Sequence, residues 1–251
     1  MLAEIRTEHN SFRVNLAKPI DISIPLRHGA ENPNAFGVHD PDFTPFRAGA
    51  FVGSVREGGA CNCENIFLNP HGNGTHTECV GHITQERVTI NAQLKNFFAV
   101  AALVSIQPET APNGDVVIQE RHIRAAVKNL HTDVLGLIIR TLPNAASKAT
   151  MRYAGTNPPY LSQAAATALA VSGIQHLLVD FPSLDREDDG GKMLAHRAFW
   201  DFPHNTRFHA TVTEMVFIPD SVRDDVYLLN LHIPSFESDA APSKPVLYEI
   251  E

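Results

Sequence analysis

The order of apolar and helical segments between residues 97 and 181 constrains the fold of this chain most strongly. Three apolar runs that suit buried strands occur at residues 97–106, 133–140 and 176–181. An amphipathic segment at 119–130 separates the first two runs, and an alanine-rich segment at 158–173 separates the last two. The second segment opens at a proline pair and stops at a glycine, as helices prefer. Alternating strands and helices predict an α/β sheet with crossover connections.

The rest of the chain predicts further strands around this layer. They are expected at residues 19–26 (an edge strand between prolines), 51–55 and 61–68 (joined by a Gly58-Gly59 turn), 210–219, 226–233 and 246–250, with a short helix at 193–200. Residues 27–50 read as a long loop. Because no repeat or linker separates two cores, we expect an N-terminal arm at 1–18, a frayed segment or short helix, followed by a single domain at 19–251.

Composition excludes several classes of function. The chain has 28 acidic against 20 basic residues, and a net charge of −8 argues against a nucleic-acid partner. No run of eighteen apolar residues predicts a membrane span, and the first residues lack the order of a signal peptide. Three cysteines, two of them only two positions apart, suit a cytoplasmic protein with reduced thiols. We therefore expect a cytoplasmic protein that acts on a small molecule.

The densest cluster of reactive groups lies at residues 69–82, with the sequence NPHGNGTHTECVGH. Imidazole and carboxylate groups are ligands for borderline metals such as zinc and manganese. His76 and Glu78 share a face in an extended segment, and the glycines beside His71 permit a bend toward them. These three residues could hold a metal with positions left open for water, and His82 could lie nearby. A loop that binds nothing is the alternative, because the chain contains thirteen histidines.

This segment resembles the signature H-x-G-T-H-x-D-x-P-x-H of the cyclase family, which includes bacterial kynurenine formamidase and isatin hydrolase. Gly74-Thr75-His76 reproduces its core, and Glu78 and His82 follow at the expected distances. The resemblance extends along most of the chain, through the segments DISIPL at 21–26, DFPSLD at 180–185, His196, and TEM at 213–215.

The resemblance implies a mixed α/β fold with a β-rich, barrel-like core and flanking helices, assembled as a homodimer or homotetramer. It also implies a cytoplasmic, metal-dependent hydrolase similar to the arylformamidases of tryptophan catabolism. One zinc or manganese ion would be held by His71, His76 and Glu78. Glu78 would bridge to a second ion held by His196 and Glu214, and His82 would donate and accept protons. An activated water would then attack an amide or formyl carbonyl.

Three departures from the signature leave alternatives open. His71 lies one residue further from His76 than the signature histidine, so that Gly72 occupies its place; Glu78 replaces aspartate, and Val80 replaces proline. The site could accordingly hold two metals, one or none. A lactone hydrolase or cyclase of the same fold, or a non-catalytic member that only binds a small ligand, are the other functions considered.

Two further groups of residues carry weaker predictions. Phe36, Phe43 and Phe46 in the 27–50 loop could form the apolar wall of a substrate pocket or anchor the loop to the core. Cys79 is not expected to act as a nucleophile, because no base is assigned to it. Asp185, Asp188 and Asp189 could bind a hard cation, but a solvated turn is the favoured interpretation.

Overall fold

A nine-stranded mixed sheet forms the centre of the computed structural model, which describes residues 1–251. In spatial order, its strands are β17 (Ala240–Pro242), β8 (His76–Glu78), β15 (Thr211–Glu214), β14 (His176–Val179), β12 (Val134–Thr141), β9 (Phe98–Ile106), β16 (Val226–His232), β18 (Lys244–Glu249) and β3 (Ile20–Asp21). The four strands β15, β14, β12 and β9 run parallel, and the flanking pairs are antiparallel. The predicted mixed α/β, β-rich class is confirmed, and the sheet is open, with β17 and β3 at its two edges.

Five α-helices accompany the sheet: α1 (Pro70–Asn73), α2 (Ile90–Gln93), α3 (Glu120–Val127), α4 (Gln163–Val171) and α5 (Leu194–Trp200). Helix α3 lies in the crossover from β9 to β12, α4 in that from β12 to β14, and α5 in that from β14 to β15, as the alternation of segments predicts. The predicted start of the second crossover helix at Pro158 is wrong. Ser162 caps α4 by accepting a hydrogen bond from the backbone N–H of Ala165, and a short strand precedes it.

The central strands are apolar on both faces because each face supports its own core. In β12, Leu137 and Ile139 pack on the side of α3, α4 and α5, and Ile138 points to the opposite side. Side chains of a strand alternate between faces, so consecutive apolar residues serve the two cores in turn. Trp200, Phe199 and Phe181 are the largest buried side chains of the first core. This packing fixes the strand ends that carry the functional residues.

Smaller sheets lie outside the central one. They are the hairpin β1 (Leu2–Arg6) with β2 (Ser11–Asn15); the pair β4 (Asp42–Pro45) with β7 (Glu64–Phe67); the pair β5 (Arg47–Ala48) with β6 (Phe51–Val52); and the trio β10 (Glu109–Thr110), β11 (Val116–Ile118) and β13 (Tyr160–Leu161). Residues 1–18 therefore contain a hairpin, where a frayed segment or helix was expected.

The predicted pairing of the segments 51–55 and 61–68 is wrong. Strand β6 pairs with β5, and β7 pairs with β4, so the intended partners lie in the supposed loop at 27–50. Pro33, Pro41 and Pro45 punctuate that loop and conceal short strands at its end, because two- and four-residue strands leave no clear alternation. No helix is both long and apolar enough to cross a bilayer.

Candidate metal centre

Strand β8 places the two central ligands in the buried middle of the site. It lies between β15 and β17, with Glu214 paired to His76 on one side and Ala240 paired to Glu78 on the other. His76 and Glu78 are fully buried, and their side chains, two residues apart, share one face of the strand. The neighbouring strands therefore deliver Glu214 from the far half of the chain, and Asp239, which precedes β17, from the opposite side.

The single helical turn α1 brings His71 to this face despite its displaced position. Asn69 caps the turn by accepting from the backbone N–H of Gly72, and His71 Nδ1 lies 3.1 Å from Glu78 Oε2. The ring centroids of His71 and His76 are 5.2 Å apart. A Cβ atom at Gly72 would lie 2.5 Å from Val38 Cγ2, so residue 72 is packed against the preceding loop. The one-residue offset follows from this packing, which leaves residue 71 free to face the centre.

His82 and His196 complete the ring of histidines around Glu78. A 3₁₀ turn at Val80–His82 puts His82 Nδ1 3.8 Å from Glu78 Oε2. Helix α5 buries His196 and places its Nε2 3.0 Å from Glu78 Oε1 and 3.6 Å from Glu214 Oε1. The structure thus brings together all six residues to which the sequence assigned metal or proton-transfer roles: His71, His76, Glu78, His82, His196 and Glu214.

Two carboxylates at the site were not predicted from the sequence. Asp185 was expected in a solvated turn, which is wrong: it is buried, and its Oδ2 lies 2.6 Å from His196 Nδ1. Its Oδ1 also accepts from the backbone N–H of Ala195, at the start of α5. Asp188 is exposed, and Asp189 is partly buried and accepts hydrogen bonds from the backbone N–H groups of residues 191–193. Asp239 Oδ2 lies 2.8 Å from His71 Nε2, and no feature of the sequence pointed to this residue.

Each candidate histidine ligand directs one ring nitrogen at the carboxylates and anchors the other on an oxygen. His76 Nδ1 lies 2.9 Å from Gly74 O, which leaves Nε2 for the centre. His196 anchors Nδ1 on Asp185, and His71 anchors Nε2 on Asp239. Metal-binding histidines generally hold their second nitrogen in this way, because the outer partner fixes the tautomer and the ring orientation. Because all three histidines have one ring nitrogen fixed and the other turned inward, they are oriented to bind a cation.

The electrostatics also favour positive charge at the centre. Burial opposes ionisation of Glu78, yet the nearby imidazoles of His82 and His196 and the ring of His71 hold its pKa well below the usual range. Burial likewise disfavours a charged His71, but its contacts with Asp239 and Glu78 raise its pKa to about 10. The pKa of His196 is raised well above its usual value through its contacts with Asp185, Glu214 and Glu78, against the effect of burial. The buried carboxylates are thus stabilised by positive charge, which protonated histidines or a metal ion can supply.

The donor set fits a divalent metal. His76 Nε2 and Glu78 Oε2 are buried and make no well-aligned hydrogen bond, although Glu214 Oε2 lies 3.4 Å from the first atom and His71 Nδ1 lies 3.1 Å from the second. Such atoms are costly to bury unless something else binds them. Ligand atoms lie within 4.8 Å of one another in three overlapping groups: His71, His76 and Glu78; Glu78, His82 and His196; and His71, His82 and Asp239. The first two groups share Glu78, so this carboxylate could contribute a ligand to more than one ion. Nitrogen and carboxylate donors suit zinc or manganese.

The predicted phenylalanines lie in different surroundings. Phe36 lines a small cleft together with Tyr153, Pro182 and Asp185, so it stands next to the residue that holds His196. Phe43 pairs with Ile66 between β4 and β7, and the Phe46 ring packs 6.1 Å from that of Phe51, in the small outer sheets.

Cys79 lies next to Glu78 in the chain but is poorly suited to nucleophilic attack. Burial raises the pKa of its thiol to about 12, and its Sγ contacts the carbonyl of Val88 at 3.7 Å. A nucleophilic cysteine needs an ionised thiolate near neutral pH.

Comparison with known proteins identifies the same fold and family. Residues 20–186 match the cyclase family, described as "Putative cyclase". An isatin hydrolase bound to the product analogue thioisatinate is 13% identical, with a TM-score of 0.70 over 93% of each chain. Isatin hydrolase A from Labrenzia aggregata is 15% identical (TM-score 0.68; 93% of this chain and 94% of that one). A predicted metal-dependent hydrolase from Bacillus stearothermophilus is 16% identical (TM-score 0.64; 92% and 98%). No curated protein sequence matches the chain.

Proposed function

This chain belongs to the cyclase family, and we propose that it is a metal-dependent hydrolase that cleaves the amide C–N bond of a small aromatic formamide or cyclic amide. The observation that carries this proposal is the orientation of His71, His76 and His196. Each directs one nitrogen toward the buried carboxylates and anchors the other on an oxygen. A fold alone would not require that arrangement, whereas a catalytic metal centre does.

We assign His71, His76 and Glu78 to one zinc or manganese ion, and His196, Glu214 and Glu78 to a second. The assignment uses the buried atoms of His76 and Glu78 that make no well-aligned hydrogen bond and the short approach of His196 to both glutamates. A divalent cation bound there would lower the pKa of a coordinated water and polarise a carbonyl oxygen. The protein's own contribution is to keep the ligands oriented and the inner carboxylates buried.

His82 is the residue assigned to proton transfer. Its side chain is about a quarter exposed, so it lies where the centre opens, and its ring stacks on His71 with centroids 4.3 Å apart. Its Nε2 has no hydrogen-bond partner in the chain. An imidazole in this position can accept a proton from the attacking water and give it to the leaving nitrogen when the C–N bond breaks.

The choice of an aromatic substrate rests on the resemblance to the cyclase family. Phe36 is 46% exposed and borders a small cleft that reaches Asp185 behind His196. The fold shared with isatin hydrolase directs the substrate search to ring amides as well as to aryl formamides. Formanilide and isatin are therefore the first compounds to assay.

The test is to strip the protein with a chelator, restore zinc or manganese, and assay both compounds. We expect the stripped protein to be inactive and the restored protein to regain turnover. His82→Asn should lose turnover and retain its metal, and His9→Asn, at an exposed histidine of the first hairpin, serves as the control. A chain that binds neither ion, or that stays inactive on both compounds after loading, would contradict the proposal.

A further inference from the structure

Asp239 contacts two histidines of the site with a single oxygen. Its Oδ2 lies 2.8 Å from His71 Nε2 and 3.4 Å from His82 Nδ1. The backbone holds it in place, because its carbonyl accepts a hydrogen bond from Cys79 N–H and the next residue begins β17 beside β8. Ser238 Oγ donates to its other oxygen at 3.1 Å. The carboxylate is therefore fixed at the entrance of the centre.

The two rings that share this oxygen have different tasks. His71 turns Nδ1 toward Glu78, so its Nε2–H donates to Asp239. His82 turns Nδ1 toward the same carboxylate, so its neutral ring is held with the proton on Nδ1 and the lone pair on Nε2. An ionised carboxylate accepts hydrogen bonds but cannot donate one. It therefore favours the tautomer in which His82 Nδ1 carries the proton. The rings of His71 and His82 stack at an interplanar angle of 28°, so both can contact the same oxygen of Asp239 without a clash.

We propose that Asp239 is a positioning residue for catalysis: it holds His82 in the Nδ1–H tautomer, with Nε2 free for proton transfer, and it orients His71 toward the metal. This inference rests on the proposed hydrolase function. During hydrolysis, His82 Nε2 takes one proton from the attacking water and returns it to the nitrogen released by C–N cleavage. Asp239 stays ionised throughout and stabilises the imidazolium that forms between the two transfers.

Asp185 provides an internal comparison. It anchors His196 in the way that Asp239 anchors His71, but it has no contact with His82. Loss of Asp185 should therefore weaken the metal centre without changing the protonation of His82. Loss of Asp239 should change both, and this difference separates a role in tautomer selection from a role in metal binding alone.

The experiment uses Asp239→Asn, Asp239→Ala and, as the matched control, Asp185→Asn. Nitrogen-15 NMR of zinc-loaded protein shows which ring nitrogen of His82 carries the proton. We expect Nδ1–H in the wild type and in Asp185→Asn, and loss of that preference in both Asp239 variants. With a hydrolysable amide, kcat of the Asp239 variants should fall by roughly 10–100-fold, as outer-partner losses do, with KM nearly unchanged. Thermal unfolding confirms that each variant is folded.

Several results would overturn the inference. A wild-type His82 protonated at Nε2 would do so, as would Asp239 variants that keep both the Nδ1–H tautomer and kcat. Asp239 variants that lose zinc but keep the tautomer would show that the residue serves the metal only. If the wild type binds no zinc or hydrolyses no amide, the proposed function fails, and the tautomer of His82 in the metal-free protein still decides the role of Asp239.

Discussion

Two histidine–carboxylate pairs approach Glu78 from opposite sides, and they differ in burial. The His196–Asp185 pair is supplied by α5 and the loop before it, and both side chains are less than one-tenth exposed. The His71–Asp239 pair lies at the entrance, where the two side chains are 24% and 33% exposed. The inner pair rests on the apolar core beside Trp200, whereas the outer pair rests on short turns.

The difference indicates where the fold tolerates change. The inner pair cannot shift without disturbing the helix and strand that carry it, and its residues match the resemblance to the cyclase family. The outer pair contains the displaced histidine, which the one-turn helix α1 presents to the centre while residue 72 packs against Val38. We infer that the inner side is the scaffold of the centre and that the outer side, with His82, is where substrate and protons arrive.

The largest effect is expected at the residue that both pairs share. Glu78→Gln removes the negative charge that faces all of the candidate ligands, and it should abolish binding of zinc or manganese on both sides. Activity should fall by more than the roughly 10–100-fold that loss of an outer partner costs. Metal content measured after dialysis checks this, with Glu64→Gln on the exposed strand β7 as the control. A Glu78→Gln protein that retains its metal would show that the two sides are independent.

Replacing His196 and His71 separately measures how much the inner and the outer pair each contribute to the free energy of unfolding. His196→Gln leaves Asp185 and Glu78 buried without their partner, a loss that typically costs about 3–5 kcal/mol. His71→Gln should cost clearly less, because water reaches Asp239. Urea unfolding in the presence of a chelator compares the two variants without a contribution from metal. Equal losses would contradict the assignment of the inner pair to the scaffold.

The cause of the one-residue offset of His71 can be tested at Gly72. Its Cβ would meet Val38 Cγ2 at 2.5 Å and the carbonyl oxygen of Ala35 at 3.1 Å, so Gly72→Ala should destabilise the protein by about 1–3 kcal/mol. Val38→Ala in the same chain should recover part of that loss.

The double change His71→Gly with Gly72→His restores the spacing of the family signature but forces a histidine into this contact. We expect it to bind metal more weakly than the wild type in calorimetry. Equal or tighter binding would mean that packing does not set the register.

A buried histidine outside the centre shows what the carboxylates contribute. His176 in β14 has only Thr211 Oγ1 as a partner, at 2.9 Å, and burial, with a smaller effect of His209, lowers its pKa to about 4. Its ordinary pKa is 6.5. Between about pH 4 and pH 6.5, the imidazole is therefore protonated in the unfolded chain and neutral in the folded chain. The unfolding free energy should therefore fall by about 2 kcal/mol between pH 7.5 and pH 5 on account of this group.

His71 and His196 shift in the opposite direction, because their raised pKa values stabilise the fold as the pH falls. The contribution of His176 is consequently read as the difference between the wild type and His176→Gln in urea unfolding at the two pH values. A variant with the same pH dependence as the wild type would contradict this account of His176.

Sequence reasoning succeeded where local patterns determine the structure. The apolar runs and crossover helices follow from periodicity, and the predicted order of β9, α3, β12, α4 and β14 is found in the structure. It failed for the strands at 42–67, which are only two to four residues long and pair with unexpected partners. Strands this short carry too few side chains to show a period.

The site shows the same division. His76 and Glu78 could be placed on one face from their spacing, and the resemblance to the cyclase family added His196 and Glu214 from the far half of the chain. The contacts of Asp185 with His196 and of Asp239 with His71 could not be predicted, because they join residues 11 and 168 positions apart. No short motif records such contacts. The position of His71 required the packing of Gly72 against Val38, which only the three-dimensional structure provides.

The most direct test of the metal centre is anomalous diffraction from crystals of the protein grown with zinc or manganese. We expect a peak in contact with Glu78, His76 Nε2 and His71 Nδ1, and a second peak that shares Glu78 with His196 Nε2 and Glu214. Ions found only elsewhere on the protein, or a loaded crystal in which Glu78 contacts none, would contradict the proposed centre.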